Sequence, residues 1–171
     1  MSEEGEDIKV HLTKKYGAGA TKSFDDPNSH MKVMGRKVGI EFNNDRMMVN
    51  TRRAHALVEL LKNKGENENA NKFMVDLYKA YFEKGENIND EKLLFDKVQK
   101  YGVDDTEAQF AMGDHNLAEI SKLDRSIKSK YGVSGVPFFM IHPNDGGRPV
   151  AFSGAYPPEV IAEQLEEAAD A

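Results

Sequence analysis

The 171 residues carry a net charge of −6, with 39% hydrophobic and 30% charged side chains and no cysteine. This balance is typical of one soluble globular domain. It argues against a nucleic-acid surface, which needs clustered lysines and arginines. The lack of cysteine excludes disulfides, thiolate metal sites and a thiolate nucleophile.

Two further classes are disfavoured by the sequence. No apolar run approaches the ~20 residues of a membrane span, and the acidic N-terminus lacks the basic and apolar regions of a signal peptide. The five histidines are scattered, which argues against a metal site. We therefore expect a cytoplasmic protein with no metal, no cofactor and neither a nucleic-acid nor a membrane partner.

The sequence of the first quarter of the chain predicts short secondary-structure elements with weak periodicity. Apolar residues between positions 8 and 16 predict a helix that ends at Gly17. Residues 17–26 are small or polar and are followed by Pro27, so they predict a loop. Residues 27–38 predict a second helix, and residues 39–44 predict a short extended segment.

Helical periodicity dominates residues 50–131. Asn50 or Thr51 can accept a backbone N–H as the N-cap of a helix that stops at Gly65. Apolar residues then recur three and four positions apart as far as Phe82, and Gly85 ends that helix. Three more helices are predicted, beginning near residues 90, 104 and 114. The last should turn four apolar side chains inward: Leu117, Ile120, Leu123 and Ile127.

The character changes after residue 131. Apolar residues 137–141 predict a strand, residues 142–148 a turn, and residues 150–152 a second strand, which together form a β-hairpin. Pro157-Pro158 begins a final helix, because a proline N–H is not needed in the first turn. Its predicted inward side chains are Val160, Ile161, Leu165 and Ala168.

The first hairpin strand is apolar at four consecutive positions, 138–141. Such a strand is expected to be covered on both faces in a larger sheet, and two strands alone do not make a stable sheet. The sequence offers few other strands. We therefore expect the hairpin edge to associate with another strand, including that of a second copy of the chain.

Four segments resemble the DsbA-like thioredoxin-fold family, in its FrnE and 2-hydroxychromene-2-carboxylate isomerase branch. They occur in the family's order and cover nearly the whole chain. In order they are Val49-Asn-Thr-Arg-Arg-Ala-His-Ala-Leu57, Leu77-Tyr-Lys-Ala-Tyr-Phe-Glu-Lys-Gly-Glu-Asn-Ile88, Gly132-Val-Ser-Gly-Val-Pro-Phe-Phe139 and Ser153-Gly-Ala-Tyr-Pro-Pro-Glu-Val160.

The resemblance implies an α/β fold, namely an incomplete thioredoxin-like fold with a C-terminal β-hairpin and helix and a large helical insertion. Residues 1–171 form a single domain in this interpretation. Residues 1–48 are its lead and first helices, 49–131 the insertion, and 132–171 the hairpin and C-terminal helix. In the family, a βαβ unit with Cys-X-X-Cys or a serine-bearing turn carries the nucleophile, and this sequence contains no match to it.

The resemblance also implies a substrate site. The Val136-Pro137 bond is expected to be cis, and the backbone before this proline pairs with substrate in the family. Asn50 and Thr51 lie where the insertion faces the active centre, and His55 follows one turn later. From residue types alone, Asn50 and Thr51 are N-caps, His55 is a packed or solvated side chain, and Val136-Pro137 is a rigid loop.

Three functions remain open from sequence. The first is a thiol–disulfide oxidoreductase by descent, which is inactive alone because it has no cysteine. The second is a non-catalytic module that binds a peptide or a glutathione-like ligand. The third is a part of a glutathione-dependent isomerase-like protein.

Overall fold

The computed structural model describes residues 5–144 and 146–169. In this part of the chain, short helices precede a helical core, and two small antiparallel ladders supply the strands. The elements of the first quarter are β1 Glu6–Asp7, α1 Ile8–Tyr16, α2 Gly19–Asp25, α3 His30–Lys37 and β2 Met47–Met48.

The N-terminal helix forms where the sequence predicts it. The Asp7 carboxylate accepts hydrogen bonds from the backbone N–H groups of Lys9 and Val10, at 2.8 and 3.1 Å, and so caps α1. This satisfies donors that have no partner within the helix. β1, immediately before it, pairs with β2, a ladder that the sequence pattern does not predict.

One prediction in this region is wrong. Residues 17–26 are not a loop, since α2 occupies most of them and packs against α1. Tertiary contacts here outweigh a composition that favours turns. Residues 39–44, predicted to be a short extended segment, pair with no strand in the described part of the chain. Phe42 packs edge-to-face on Phe82, with ring centroids 6.0 Å apart, and the N–H of Asn43 donates to the Phe82 carbonyl oxygen at 2.7 Å.

The helical core follows. It comprises α4 Arg52–Asn63, α5 Asn67–Tyr78, a π-helical turn Lys79–Glu83, α6 Glu91–Val98, a 3-10 turn Gln99–Tyr101 and α7 Asp105–Ala111. The predicted helices are therefore confirmed, although α5 gives way to a wider turn before Gly85. The largest fully buried side chains lie here: Leu57, Leu61, Phe73, Leu94, Val98 and Val103.

Helix caps fix the starts of these helices. Asp90 accepts a hydrogen bond from the Leu93 N–H at 2.8 Å. Asp104 and Glu107 form a reciprocal capping box. Such caps each stabilise a helix by about 1 kcal/mol. Both caps lie where the sequence predicts that these helices begin, near residues 90 and 104.

The C-terminal part contains α8 Asp114–Tyr131, β3 Phe138–Ile141, β4 Val150–Ser153 and α9 Pro158–Ala169. β3 and β4 are antiparallel, with Phe138 opposite Ser153 and Ile141 opposite Val150. The predicted hairpin is confirmed. Within its predicted turn, Asp145 lies outside the described residues.

The chain divides into two compact units, Met1–Ser121 and Lys122–Ala171, and α8 runs across the division. Whether the segments 1–48, 49–131 and 132–171 are meaningful subdivisions stays a prediction. A membrane-crossing helix is absent from the described residues, where each helix is too short or too polar to span a bilayer.

The second unit buries few side chains. Among its described residues only Ala168 is buried, and every side chain of β3 is half-buried. Leu123, Ile127 and Leu165, predicted to face inward, are 48%, 43% and 51% exposed. The helical periodicity correctly places them on one face of each helix, but no described residue covers that face fully.

Candidate functional site

The loop between α8 and β3 carries the strongest sequence motif. The Val133 N–H donates to the Lys128 carbonyl oxygen at 3.0 Å, which ties the start of the loop to α8. The Val136–Pro137 peptide bond is cis, as the motif predicts. Val136 is 85% exposed, the largest exposed fraction among the exposed large hydrophobic residues. The loop therefore presents an apolar residue to its surroundings immediately before β3.

Strand β4 holds the proline in place. The Pro137 carbonyl oxygen accepts hydrogen bonds from the Gly154 N–H at 2.9 Å and from the Ser153 hydroxyl at 3.2 Å. One of these residues, Ser153, ends β4, so the hairpin ladder continues as far as the proline. The exposed part of the loop comprises residues 134–137, with the Pro137 carbonyl oxygen already engaged by these bonds.

Aromatic packing stabilises the hairpin beneath the loop. The rings of Phe139 and Phe152 are stacked, with centroids 5.0 Å apart and an interplanar angle of 24°. Tyr156 lies against Phe152 at 6.1 Å. Aromatic pairs of this kind contribute about 0.5–1.5 kcal/mol beyond the area they bury. The loop is thus attached to a preorganised strand pair.

The other predicted site residues lie at the start of α4, in the first unit. The Asn50 side-chain oxygen accepts hydrogen bonds from the Arg52 backbone N–H at 3.1 Å and from Arg52 Nε at 3.2 Å. Thr51 occupies the N-cap position without a side-chain capping bond. Thr51 and His55 are both exposed. Of the two residues predicted to accept a backbone N–H at this helix start, Asn50 does so from one position before the N-cap, and the side chain of Thr51, at the N-cap, makes no capping bond.

The structure assigns these residues to different units, with Asn50, Thr51 and His55 in the first and Val136 and Pro137 in the second. That they form one substrate site stays a prediction. No group of three or more histidine or acidic side chains among the described residues is arranged to hold a metal ion. The loop offers apolar and main-chain contacts, and the sequence has no thiol to place beside it.

One arrangement was missed by sequence reasoning. Arg46 is buried among three aromatic rings in the first unit. It lies in a connection between α3 and α4, where no periodicity predicts burial. Its aromatic neighbours come from distant parts of the sequence, so no local signal could have identified it.

Comparison with known proteins identifies the family. The sequence profile described as DSBA-like thioredoxin domain matches residues 23–166. The chain belongs to the DSBA-like thioredoxin domain family. Its structure is similar to that of a probable DsbA oxidoreductase from Streptomyces coelicolor, with a TM-score of 0.75 and 25% sequence identity. The similarity covers 95% of this chain and 67% of that protein.

No curated protein matches the sequence significantly. Family membership confirms the DsbA-like thioredoxin fold that the four motifs imply, in a mostly helical form. This DSBA-like chain nevertheless has no cysteine anywhere in its sequence. The family's thiol chemistry therefore cannot be carried out by its own side chains.

Proposed function

We propose that this chain is the ligand-holding part of a DsbA-like protein and has no thiol–disulfide activity alone. In this proposal the Val136–Pro137 loop and the free edge of β3 bind an extended peptide or a glutathione-like ligand. The observation that carries the proposal is the exposed Val136 at the start of a strand that pairs on one edge only, among the described residues.

The geometry of β3 supports an extended ligand. An edge strand presents unpaired main-chain N–H and C=O groups, and an extended peptide can add to it as a further strand. Main-chain hydrogen bonds would then supply affinity without requiring a particular sequence. Half-buried apolar side chains on both faces of β3 would gain contacts from such an addition.

The sequences of the four motifs support a finer assignment of the chain to the FrnE and 2-hydroxychromene-2-carboxylate isomerase branch. In the proposal, a cysteine-bearing βαβ unit on another segment or chain completes the thioredoxin sheet and supplies the nucleophile. The poorly buried second unit favours such a partner, because exposed Leu123, Ile127 and Leu165 would be covered by it. A serine-bearing unit would instead support glutathione-dependent isomerisation.

The binding proposal is tested with S-methylglutathione, which has the glutathione backbone but cannot exchange thiols. We expect saturable changes in NMR amide shifts that centre on residues 133–139. Val136→Lys should weaken this binding, while Val75→Lys, at a residue of α5 that is 50% exposed, should leave it unchanged. Equal effects of the two variants, or shifts centred elsewhere, would contradict the loop as the binding site.

The expected lack of thiol–disulfide exchange activity is tested with the insulin-reduction assay. The chain alone should not accelerate reduction of insulin by dithiothreitol, because exchange requires attack by a thiolate. Turnover above the reagent background by pure protein would show the proposal to be wrong. Addition of a cysteine-bearing DsbA-like fragment that completes the sheet should restore activity.

Self-association through the hairpin edge is the corresponding expectation for the isolated chain. Light scattering over a concentration series should show the mean mass rising with concentration, because a second copy can pair with β3. Phe139→Lys should reduce association, with circular dichroism as the check on folding. A cooperatively melting monomer at every concentration would remove the case for a free edge.

A further inference from the structure

A second surface lies in the first unit and does not depend on the proposed function. It consists of helix α3 and the cleft beside it, which α1 and α2 help to enclose. The cleft has a volume of about 390 Å³, and Leu12, Phe24, Met31 and Phe42 supply its apolar walls. This volume lies within the range of sites that hold small organic groups. The cleft can therefore accept a side chain as large as an aromatic ring.

Helix α3 buries only one of its own residues, Gly35. The helix packs there on the ring of Phe42, and a Cβ built on Gly35 would lie 2.6 Å from Phe42 Cε2. Met31, Met34 and, at the C-cap, Val38 are 55%, 47% and 72% exposed. Their spacing of three and four residues places these three residues, here termed the α3 stripe, on one face. Methionine suits a surface that adapts to a partner, because its side chain is unbranched and polarizable.

The same helix is basic. It carries Lys32, Arg36 and Lys37 and no acidic residue, in a chain whose net charge is −6. None of these three cations forms an ion pair with another described residue. Asp25, at the end of α2, is already paired with Lys9 at 3.1 Å. The surface of α3 therefore has positive charge available to an anionic partner.

Helix stability explains only part of this charge. Cations in the last turn, such as Arg36 and Lys37, interact favourably with the helix dipole. Lys32 lies in the first turn, where the dipole favours an acidic side chain instead. It lies on the wall of the cleft, with its Nζ 6.0 Å from the centroid of the Phe24 ring. An anionic group bound at the cleft accounts for this position of Lys32, and the helix alone does not.

We propose that α3 and its cleft bind an acidic peptide segment with a large apolar anchor side chain. The anchor fills the cleft, a neighbouring apolar side chain of the peptide lies on the α3 stripe, and its carboxylates pair with Lys32, Arg36 and Lys37. Amphipathic helices commonly bind in this way, with an apolar face in a groove. The pairing would give three unpaired cations their counter-charges.

A membrane fits this surface less well than a peptide does. A bilayer of anionic lipids would contact the projecting α3 stripe and its cations. A flat surface cannot reach the walls of a concave cleft, however, and so would leave Leu12 and Phe42 without a partner. A peptide with one protruding side chain matches both the charge and the cavity.

The test uses a fluorescein-labelled peptide with the sequence Glu-Glu-Leu-Glu-Glu-Phe-Leu-Glu-Glu-Leu, whose apolar side chains share one helical face. We expect its fluorescence anisotropy to rise saturably when the full chain is added at low salt. Replacement of the phenylalanine by alanine should weaken binding by about tenfold or more, the scale of burying one large apolar side chain. Replacement of every glutamate by glutamine should weaken it by about threefold or more, as expected for three exposed ion pairs.

Two pairs of charge reversals provide the matched comparison. Arg36→Glu with Lys37→Glu reverses two exposed cations of α3, and Lys79→Glu with Lys100→Glu makes the same change in net charge at exposed positions on other elements. The α3 pair should weaken binding of the peptide by about threefold or more. The second pair should leave it within about twofold, because only the overall charge of the protein changes. Circular dichroism checks that both proteins fold.

Met34→Lys separates apolar contact from charge. Met34 is 47% exposed, so a lysine can be accommodated there, and the variant adds a positive charge to the surface. It should nevertheless weaken binding of the peptide by about twofold to tenfold, because the α3 stripe loses an apolar contact. Stronger binding by this variant would show that charge alone attracts the peptide, and would overturn the proposal.

Other results would also overturn it. Absence of saturable binding would leave α3 as a solvated helix, and equal binding by the two charge-reversal pairs would place the peptide elsewhere on the protein. Sedimentation of the chain with phosphatidylserine vesicles, in the absence of peptide binding, would identify a membrane as the partner. Loss of self-association in the α3 pair, measured by light scattering, would identify a second copy. Phe139→Lys in β3 should leave peptide binding unchanged, which separates this surface from the hairpin edge.

Discussion

A pair of glycine substitutions gives the sharpest test of the packing around residues 43–46. Gly85 has a φ of +71°, and a Cβ built on it would lie 2.4 Å from the Asp45 carbonyl oxygen and 3.0 Å from Asn43 Nδ2. Gly102 has a φ of +78°, but nothing lies within 4 Å of its Cβ position. Alanine at both sites therefore tests the same backbone strain with and without a steric clash.

The two free energies differ by the cost of that clash. A left-handed conformation costs a non-glycine residue about 1–2 kcal/mol, and the smaller entropy of the unfolded chain offsets about 0.4–1 kcal/mol. Gly102→Ala should therefore destabilise by roughly 0–1.6 kcal/mol. Gly85→Ala must also displace backbone, and overpacking adds about 1–3 kcal/mol, so its total should be roughly 1–4.6 kcal/mol.

Urea unfolding followed by circular dichroism measures both values. We expect Gly85→Ala to lower the midpoint by a clearly larger amount than Gly102→Ala, with an unchanged m-value that indicates the same exposed area on unfolding. Equal midpoints for the two variants would refute the close approach of Gly85 to Asp45.

Three other predictions concern the first unit. Leu57→Ala should cost about 2–5 kcal/mol of unfolding free energy, because Leu57 has no exposed surface; Val75→Ala, at a half-exposed position, should change it by less than about 0.5 kcal/mol. Asp104→Ala should cost about 0.5–2 kcal/mol, since it removes a capping box, and loss of thermal stability measures it. Burial and a 2.5 Å hydrogen bond to the Asp76 carboxylate raise the pKa of Tyr101 to about 12. Because this folded pKa exceeds the unfolded value of about 10, the stabilisation should be fully present below pH ~10 and lost as the pH rises to ~12. Tyr101→Phe should therefore cost about 1 kcal/mol at neutral pH, reduced from a fully buried bond by partial exposure, and this cost should decrease as the pH rises above ~10. A difference in urea midpoint that does not change with pH would contradict this.

Local signals account for what could be predicted from sequence. Asp90 and Asp104 cap helices through bonds to backbone groups three residues away, so the cap and the apolar spacing appear together in the sequence. The hairpin was predictable because an apolar run and a turn lie next to each other. The family motif also identified the Val136–Pro137 loop. That this loop and Asn50 belong to one site stays a prediction, since they lie in different units.

The sequence by itself determined the helices of the core, the hairpin and the absence of any thiol nucleophile, because each follows from residue types or from bonds within a few residues. Only the tertiary structure decided that residues 19–25 are helical, that Leu123 and Leu165 stay exposed, and that Arg46 is buried without a counter-ion. These features depend on which distant segments meet. Arg46 is enclosed by rings from residues 24, 81 and 82, and no local pattern encodes contacts across such separations.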